Sequence, residues 1–213
     1  MVRFLLIRHG QSQGNLDGVF IGQGDSPLTE FGHMQADVTA SFIKEHFTPD
    51  VVYASDLIRA YDTGLSISDA CGIPIISDRR LREIFAGKWE GQSFNTLESD
   101  FFDSYSVWRR DIGNAVCPEG ESVKMLMERF TEALIDIAEK NDGKTVVIAT
   151  HATPIRTLMC YSLYKDADRM KDVKWVSNAS VTVVDCENHA FFLADADLCA
   201  HLGELKSRLP ANV

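Results

Sequence analysis

The chain has 213 residues, of which 45% are hydrophobic and 24% are charged, which suits a soluble globular protein of one large or two small domains. Its 21 basic and 31 acidic residues give a formal charge of −10, which argues against a nucleic-acid partner or an anionic membrane surface. Any anionic ligand must therefore be held by a local cluster of cations that acts against the charge of the whole molecule.

The cysteines are odd in number and scattered, at positions 71, 117, 160, 186 and 199, and they include no C-x-x-C pair. This usage is typical of reduced thiols in the cytosol, not of a disulfide framework or a structural zinc site. The first apolar run, residues 4–7, ends at Arg8 and is too short for a signal peptide or a membrane span. We therefore expect a cytoplasmic protein, and the sequence leaves its oligomeric state open.

The first third of the chain predicts strands and helices in alternation. Residues 4–7 are apolar on both faces and lead to Gly10, a pattern typical of a buried strand that ends in a turn. Apolar residues then recur at helical spacing from Thr29 to the stop at Thr48-Pro49. The next predicted elements are a strand at 51–54, a helix over 57–70 that ends at Gly72, and a strand at 73–76.

The rest of the chain begins with a stretch of weak periodicity, residues 78–120, within which residues 94–108 have the composition of a helix. A clear amphipathic pattern predicts a helix over 123–138, and a buried strand over 145–149 follows it. Thr153-Pro154 then predicts the start of another helix, with a capping residue followed by proline.

A closing hairpin is predicted from residues 181–184 and 191–193. The alternation of strands and helices predicts an α/β fold, a three-layer sandwich with a mostly parallel central sheet and helices on both faces. Because the stretch 78–120 lacks a regular pattern, we expect it to be a lid-like insertion in a single domain that spans residues 1–213.

Three of the predicted strands are followed by residues of unusual chemistry. Arg8 and His9 come after the first strand, Arg59 comes shortly after the second, and His151 follows the strand over 145–149. Ligands of open α/β sheets bind beyond the carboxyl ends of the strands, so we expect these side chains to converge on one edge. Guanidinium groups are planar donors and imidazole is a nucleophile, so the set suits a phosphate group.

Each of these residues also has an interpretation without function. Arg59 could be a solvated arginine on a helix surface, and His9 could be a satisfied histidine near the core. However, Arg59 falls in the first turn of its helix, where the helix dipole disfavours a cation unless an anion lies nearby. Arg8, at the end of a buried strand, must be paired, and Gly10 lets the backbone approach a ligand. A metal site is a weaker alternative, because the arginines would repel a dication.

Six short motifs occur in order along the chain. They are Ile7-Arg8-His9-Gly10-Gln11-Ser12 with Asn15; Gly22-Gln23-Gly24-Asp25 with Pro27-Leu28-Thr29, Gly32 and Gln35-Ala36; Ser55-Asp56-Leu57 with Arg59-Ala60 and Thr63; Leu81-Arg82-Glu83 with Gly87 and Trp89-Glu90-Gly91; Pro118-Glu119-Gly120-Glu121-Ser122; and Ala149-Thr150-His151. Each motif is weak alone, but together they resemble the histidine phosphatase superfamily, in the branch of cofactor-dependent phosphoglycerate mutases and related small phosphatases. The resemblance covers most of the chain and implies a phosphoglycerate mutase-like fold.

The resemblance also implies two catalytic residues. His9 would be the nucleophile and would become phosphohistidine. Glu83 would protonate the leaving oxygen and later activate water, although the sequence alone is equally compatible with a surface carboxylate beside Arg82. Phosphoryl transfer depends on positioning and charge stabilisation, which these residue types supply.

The substrate-binding residues implied by the resemblance surround the same phosphate. Arg8, Arg59 and His151 would hold its oxygens, and Asn15 would assist them. Gly22 lies in the motif that follows the nucleophile and is assigned to the same group. The resemblance implies no metal ion and no other cofactor.

The motif around Glu83 favours a phosphatase over a mutase. Glu83 is followed by residues 84–91, Ile-Phe-Ala-Gly-Lys-Trp-Glu-Gly, which looks like the phosphatase branch and lacks a basic insertion. Arg109 and Arg110 could grip a second anionic group, as a mutase requires, or simply be the solvated end of a helix. We therefore expect a phosphomonoesterase that acts on a small phosphorylated metabolite, with a mutase as the alternative.

A non-catalytic module that only binds phosphorylated ligands is a further alternative. It would keep the arginines and lose His9 or Glu83, but both residues are present. The organic part of the substrate cannot be read from the sequence. Aromatic side chains of the stretch 78–120 could form an apolar wall for it, or could pack that stretch; they are Phe85, Trp89, Phe94, Phe101, Tyr105 and Trp108.

Overall fold

A computed structural model describes residues 1–207 as alternating strands and helices. The strands are β1 (Val2–Arg8), β2 (Val19–Phe20), β3 (Val51–Ala54), β4 (Ile75–Ser77), β5 (Gln92–Ser93), β6 (Thr145–Thr150), β7 (Val181–Glu187) and β8 (Ala190–Leu198). The α-helices are α1 (Gln13–Asp17), α2 (Glu30–His46), α3 (Ile58–Cys71), α4 (Phe94–Asp100), α5 (Phe102–Arg110), α6 (Val123–Lys140) and α7 (Ala152–Tyr164).

Six of these strands form the central sheet, in the order β4-β3-β6-β1-β7-β8. The first four are parallel neighbours, and the closing hairpin of β7 and β8 adds two antiparallel pairings. Leu5 of β1 pairs with Val147 of β6, and Arg8 pairs with Thr150, so both strands end at the same level. The predicted mostly parallel sheet is confirmed.

Successive side chains of β1 point to opposite faces of the sheet, and each face has its own hydrophobic core. Phe4 and Leu6 point to the face covered by α6 and α7, where Phe130 and Ile155 are fully buried. Leu5 belongs to the opposite core, which is covered by α2 and α3. Successive strand residues point to opposite faces, so a strand that is apolar throughout must be covered on both sides. The predicted three layers are confirmed.

Two predicted helices have different bounds in the structure. The helix expected over 94–108 is broken at Phe101, and the break lets Leu97 of α4 and Trp108 of α5 both reach the core. Helix α7 begins at Ala152, with His151 as its capping residue, and not at Thr153-Pro154. The helical first turn therefore starts immediately beyond β6, which brings its backbone N–H groups to the end of the strand.

The carboxyl ends of β3, β6 and β1 lie side by side, because these strands are neighbours in the sheet. Residues 78–120 contain short helices and strand β5, which pairs with β2 from the segment after β1. Across residues 1–207, no helix has both the length and the apolar character needed to cross a membrane. The five cysteines all fall in this range, and none of them forms a disulfide.

Candidate active site

The turn after β1 places His9 at the centre of the carboxyl edge. The His9 N–H donates to the Thr150 carbonyl at 3.0 Å, which ties the turn to β6. Gly10 allows the chain to pass the start of α2, since a Cβ there would lie 2.3 Å from the Gly32 carbonyl oxygen. The Gly10 N–H donates to Thr63 Oγ1 at 3.1 Å, so α3 also holds the turn. Only glycine fits this approach.

The hydrogen bond of the His9 ring determines which nitrogen carries the proton. Nδ1 lies 2.6 Å from the Gly10 carbonyl oxygen, which can only accept, so Nδ1 is the donor. Burial, together with the positive charges of Arg59 and Arg8, holds the His9 pKa well below its ordinary value. The ring is therefore neutral, and Nε2 keeps a free lone pair. This is the protonation state that a nucleophile requires.

Arg8 and Arg59 flank His9 and are buried, with exposed fractions of 7% and 2%. Arg8 Nη1 donates to the Val176 carbonyl at 2.6 Å, and Arg59 donates to the Gly22 and Gly24 carbonyls at 2.8 and 2.9 Å. Burial lowers the pKa of each guanidinium to about 10, so both stay charged at neutral pH. Arg59 is thus not a solvated helix-surface residue. Among the described residues both buried cations donate to carbonyls alone, which favours an anion between them.

His151 follows β6 and faces His9, with ring centroids 5.2 Å apart. Its Nε2 lies 2.9 Å from Ser55 Oγ, and burial, with Arg59 and His9 nearby, holds its pKa well below the ordinary value. Within residues 1–207, His151 Nδ1 and Arg8 Nε are buried without a hydrogen-bond partner. A buried polar group left unpaired is costly, so both atoms would gain from an oxyanion.

Glu83 lines the same pocket as His9. Its Oε1 accepts from the Ile84 N–H at 2.8 Å and its Oε2 from the Thr153 N–H at 3.3 Å, in the first turn of α7. Burial raises its pKa, and the two hydrogen bonds oppose that shift. Its neighbour Arg82 points away and forms a bidentate ion pair with Asp56, with both distances 2.6 Å. Glu83 is therefore not a surface carboxylate beside Arg82.

Asn15 and Gly22 complete the set predicted from the sequence. Asn15 lines the pocket, and its Oδ1 accepts from the Ser12 N–H at 3.2 Å. Gly22 has a φ of 55°, and a Cβ there would lie 2.8 Å from Glu90 Oε1. Because its carbonyl accepts from Arg59, the main role of Gly22 at the pocket is to hold that guanidinium in place.

Asn178 is a site residue that the sequence did not single out. Its Nδ2 donates to the His9 carbonyl at 3.1 Å and to Asn15 Oδ1 at 3.2 Å, so it links both residues to the segment before β7. Trp175 and the carbonyl of Val176 come from the same segment. In the sequence, Asn178 lies in Ser177-Asn178-Ala179-Ser180, directly before a predicted strand. This pattern is typical of an ordinary loop and does not indicate a site residue.

The structure brings the seven predicted residues together and separates the two further arginines. Arg109 and Arg110 line two neighbouring clefts and not the pocket above His9. Arg109 is also paired with Glu98 at 2.5 Å. In the part of the chain that the structure describes, no group of three or more His, Cys, Asp or Glu side chains could hold a metal ion. The arrangement suits a phosphate group.

Comparisons with known proteins agree with this geometry. Phosphoserine phosphatase 1 of Hydrogenobacter thermophilus is 29% identical over 205 residues, which cover 96% of both chains. A probable phosphoglycerate mutase of Enterobacter sp. (strain 638) is 32% identical over 87% of this chain and 85% of its own. The solved structure of Bacillus stearothermophilus YhfR has a TM-score of 0.89 at 27% identity, over 95% of this chain and 100% of that chain.

Residues 4–197 match the histidine phosphatase superfamily (branch 1). An α/β sandwich with a buried histidine between two buried arginines defines a phosphate-handling protein of this kind. The chain belongs to the histidine phosphatase superfamily, and the resemblance inferred from its motifs is confirmed.

Proposed function

We propose that the protein is a phosphomonoesterase that acts on a small phosphorylated metabolite through a phosphohistidine at His9. The observation that carries this proposal is the 2.6 Å contact between His9 Nδ1 and the Gly10 carbonyl oxygen. The Nδ1 proton is held by the Gly10 carbonyl, so a neutral Nε2 lies in the pocket between two buried guanidinium groups. A nucleophile at this position meets an anion whose charge Arg8 and Arg59 offset.

In the first step His9 Nε2 forms a bond to phosphorus while the bond to the ester oxygen breaks. Glu83, whose raised pKa favours the protonated form, donates its proton to that leaving oxygen. In the second step water attacks phosphorus, the resulting Glu83 carboxylate takes the proton from it, and the P–N bond breaks. Arg8, Arg59, His151 and Asn15 would hold the phosphoryl oxygens, and Gly22 would hold Arg59 in place.

A phosphatase is favoured over a mutase by the position of Arg109 and Arg110. A mutase must hold a second anionic group of its substrate, but the pocket above His9 contains no cations among residues 1–207 other than Arg8 and Arg59. We further propose that 1–213 is one domain with 78–120 as a lid, because Phe94, Tyr105 and Trp108 from that stretch line the pocket. The enzyme is proposed to be cytoplasmic and independent of metal ions.

Replacement of His9 tests the proposal directly. His9→Asn should lower turnover of p-nitrophenyl phosphate by at least about 10³-fold, because the covalent intermediate cannot form. A radiolabelled phosphate ester should leave an acid-labile label on the wild-type protein and none on the variant. His33→Asn is the matched control, because His33 is exposed on α2.

The same experiment separates the alternatives. A labelled His9 together with exchange of phosphate between 2- and 3-phosphoglycerate would establish a mutase. Hydrolysis of several esters without exchange would support the phosphatase. Phosphate binding with no labelling and no turnover would leave only a binding module.

A further inference from the structure

The pocket above His9 is lined by groups of residues with different chemistry. The group at the phosphate end contains Arg8, His9, Arg59 and Glu83. A second group of lining residues is apolar and largely aromatic: Val19, Phe20, Ile21, Phe94, Tyr105, Trp108 and Trp175. The rest of the lining is mainly polar and comprises Gln11, Ser12, Asn15, Gly22, Ala152, Thr153, Asn178 and Ser207. We call the apolar group the aromatic wall, and a phosphate ester bound at His9 can place its organic part against it.

Edge-to-face contacts hold the aromatic wall in place. The Phe20 ring lies 5.2 Å from Trp108 and 6.3 Å from Phe94, at interplanar angles of 74° and 75°. Trp108 also lies 6.3 Å from Trp175. Tyr105 and Trp108 are buried, with exposed fractions of 2% and 7%. Because these rings already pack on one another, the wall is formed before a substrate arrives and little order is lost on binding.

The apolar side chains of the aromatic wall offer no cation to a second anionic group on the substrate. The guanidinium groups of Arg8 and Arg59 lie at the phosphate end, and Glu83 contributes a carboxyl group. Arg156 lies behind Trp175, with its guanidinium carbon 4.3 Å from the ring centroid and its donors directed to backbone carbonyls. A carboxylate on the organic part would therefore lose water and gain no cation among the described residues of the wall.

We infer that the aromatic wall selects phosphomonoesters of uncharged alcohols with a planar, apolar body, and disfavours phosphorylated carboxylic acids. This inference rests on the proposed function, because it concerns the alcohol that leaves from the phosphoryl group bound at His9. The names of the relatives, a phosphoserine phosphatase and a phosphoglycerate mutase, would not suggest this substrate class. Hydrophobic contact favours substrates with a ring, and a wall that offers no cation disfavours substrates with a carboxylate. Both features therefore favour the same substrate class.

A panel of three primary alkyl phosphates tests the inference, since similar leaving groups keep the chemical step comparable. They are 2-phenylethyl phosphate, glycerol 3-phosphate and 3-phosphoglycerate. We expect kcat/KM for 2-phenylethyl phosphate to exceed that for 3-phosphoglycerate by about 10- to 100-fold, mostly through KM. Glycerol 3-phosphate should be intermediate, because it lacks both the ring and the carboxylate.

Two variants test whether the preference for 2-phenylethyl phosphate arises from contact with the aromatic wall. Phe94→Ala should lower kcat/KM for 2-phenylethyl phosphate about 10-fold and change that for glycerol 3-phosphate about twofold at most. Trp175→Leu should lower both values, because the adjacent Val176 carbonyl holds Arg8, but it should still reduce the ratio of the first value to the second about 10-fold. Phe102→Ala is the matched control, because Phe102 lies on α5, is 62% exposed and does not line this pocket. Both variants alter partly buried side chains, so folding should survive; thermal unfolding checks this.

The outcomes are distinct. Equal or better turnover of 3-phosphoglycerate would overturn the inference and leave the phosphohistidine mechanism intact. A preference for the aromatic ester that survives both substitutions would also overturn it. Loss of turnover on every ester, with no label on His9, would instead overturn the proposed function.

Discussion

His9 and Glu83 occupy environments that shift their pKa values in opposite directions. Burial and two guanidinium groups lower the pKa of His9, so its imidazole is neutral and nucleophilic. Burial raises the pKa of Glu83, so a larger fraction of that carboxyl carries a proton than is usual. Two titratable groups with divergent environments are the usual sign of an acid and a nucleophile that work together.

These shifts predict an acidic pH optimum for the hydrolysis of alkyl esters. The rate should fall as the pH rises through the raised pKa of Glu83, because the leaving oxygen then lacks a proton donor. It should also fall as the pH drops through the lowered pKa of His9, because the nucleophile becomes protonated. A pH profile of kcat/KM with 2-phenylethyl phosphate measures both limbs.

Replacement of Glu83 isolates the alkaline limb. Glu83→Gln should slow 2-phenylethyl phosphate by about 10²–10⁴-fold and abolish the fall in rate on the alkaline side. The loss with p-nitrophenyl phosphate should be much smaller, because p-nitrophenolate leaves without a proton. Glu45→Gln, at an exposed position on α2, should change neither rate. Equal losses on both esters would contradict the proton-donor assignment.

At the scale of elements, helix α7 supports the site both through its first turn and through Arg156. Its first turn supplies the Thr153 N–H to Glu83, and Arg156, one turn later, donates to the carbonyls of Met170 and Val173 at 2.8 Å each. The same segment then provides the Val176 carbonyl that accepts from Arg8. The helix therefore fixes the backbone that holds Arg8.

We expect Arg156→Met to lower the free energy of unfolding by about 1–3 kcal/mol, because two buried carbonyls lose their donor. It should also raise KM, since the support of Arg8 through Val176 is loosened. Urea unfolding and steady-state kinetics measure the two effects. Arg169→Met is the control in the same segment; its guanidinium is an exposed partner of Asp172 and its loss should cost about 0.5 kcal/mol or less. Equal losses of unfolding free energy in the two variants would contradict the supporting role of Arg156.

At the scale of the whole molecule, the proposed phosphate site would bind an anion although the formal charge of the chain is −10. This is possible because Arg8 and Arg59 are buried among carbonyls close to the bound group, whereas most acidic side chains lie on the surface and are screened by water and salt. Such a site is unfavourable by itself, because two like charges and two polar atoms without a hydrogen-bond partner among residues 1–207 lie close together. An oxyanion relieves that cost.

Inorganic phosphate should therefore raise the thermal stability of the protein. At about 100 times its dissociation constant, phosphate should add about 2.7 kcal/mol, which corresponds to a rise in Tm of about 5–10 °C for a chain of this size. Differential scanning calorimetry, with chloride at matched ionic strength as the reference, measures the shift. Arg59→Gln should lose most of it. A shift of the same size in that variant would place the anion elsewhere.

The sequence was sufficient for the six strands of the central sheet, for its layers and for the convergence of Arg8, His9, Arg59 and His151 on one edge. A run such as residues 4–7, apolar at every position, has to be covered on both faces, and Arg8 and His9 directly beyond it have to lie at the edge of the sheet. Order along the chain and the parallel register of β1 and β6 then bring His9 and His151 together. Local pattern and covalent order determine these features.

Tertiary structure decided the rest, because it depends on contacts between residues distant in sequence. The tautomer of His9 depends on the conformation of the turn at Gly10, and the pKa shifts of His9 and Glu83 depend on how completely the fold excludes water. Asn178 contacts His9 across about 170 residues of chain, and no local pattern marks it. Trp108 and Trp175 likewise meet only in the fold, where they belong to the aromatic wall of the pocket.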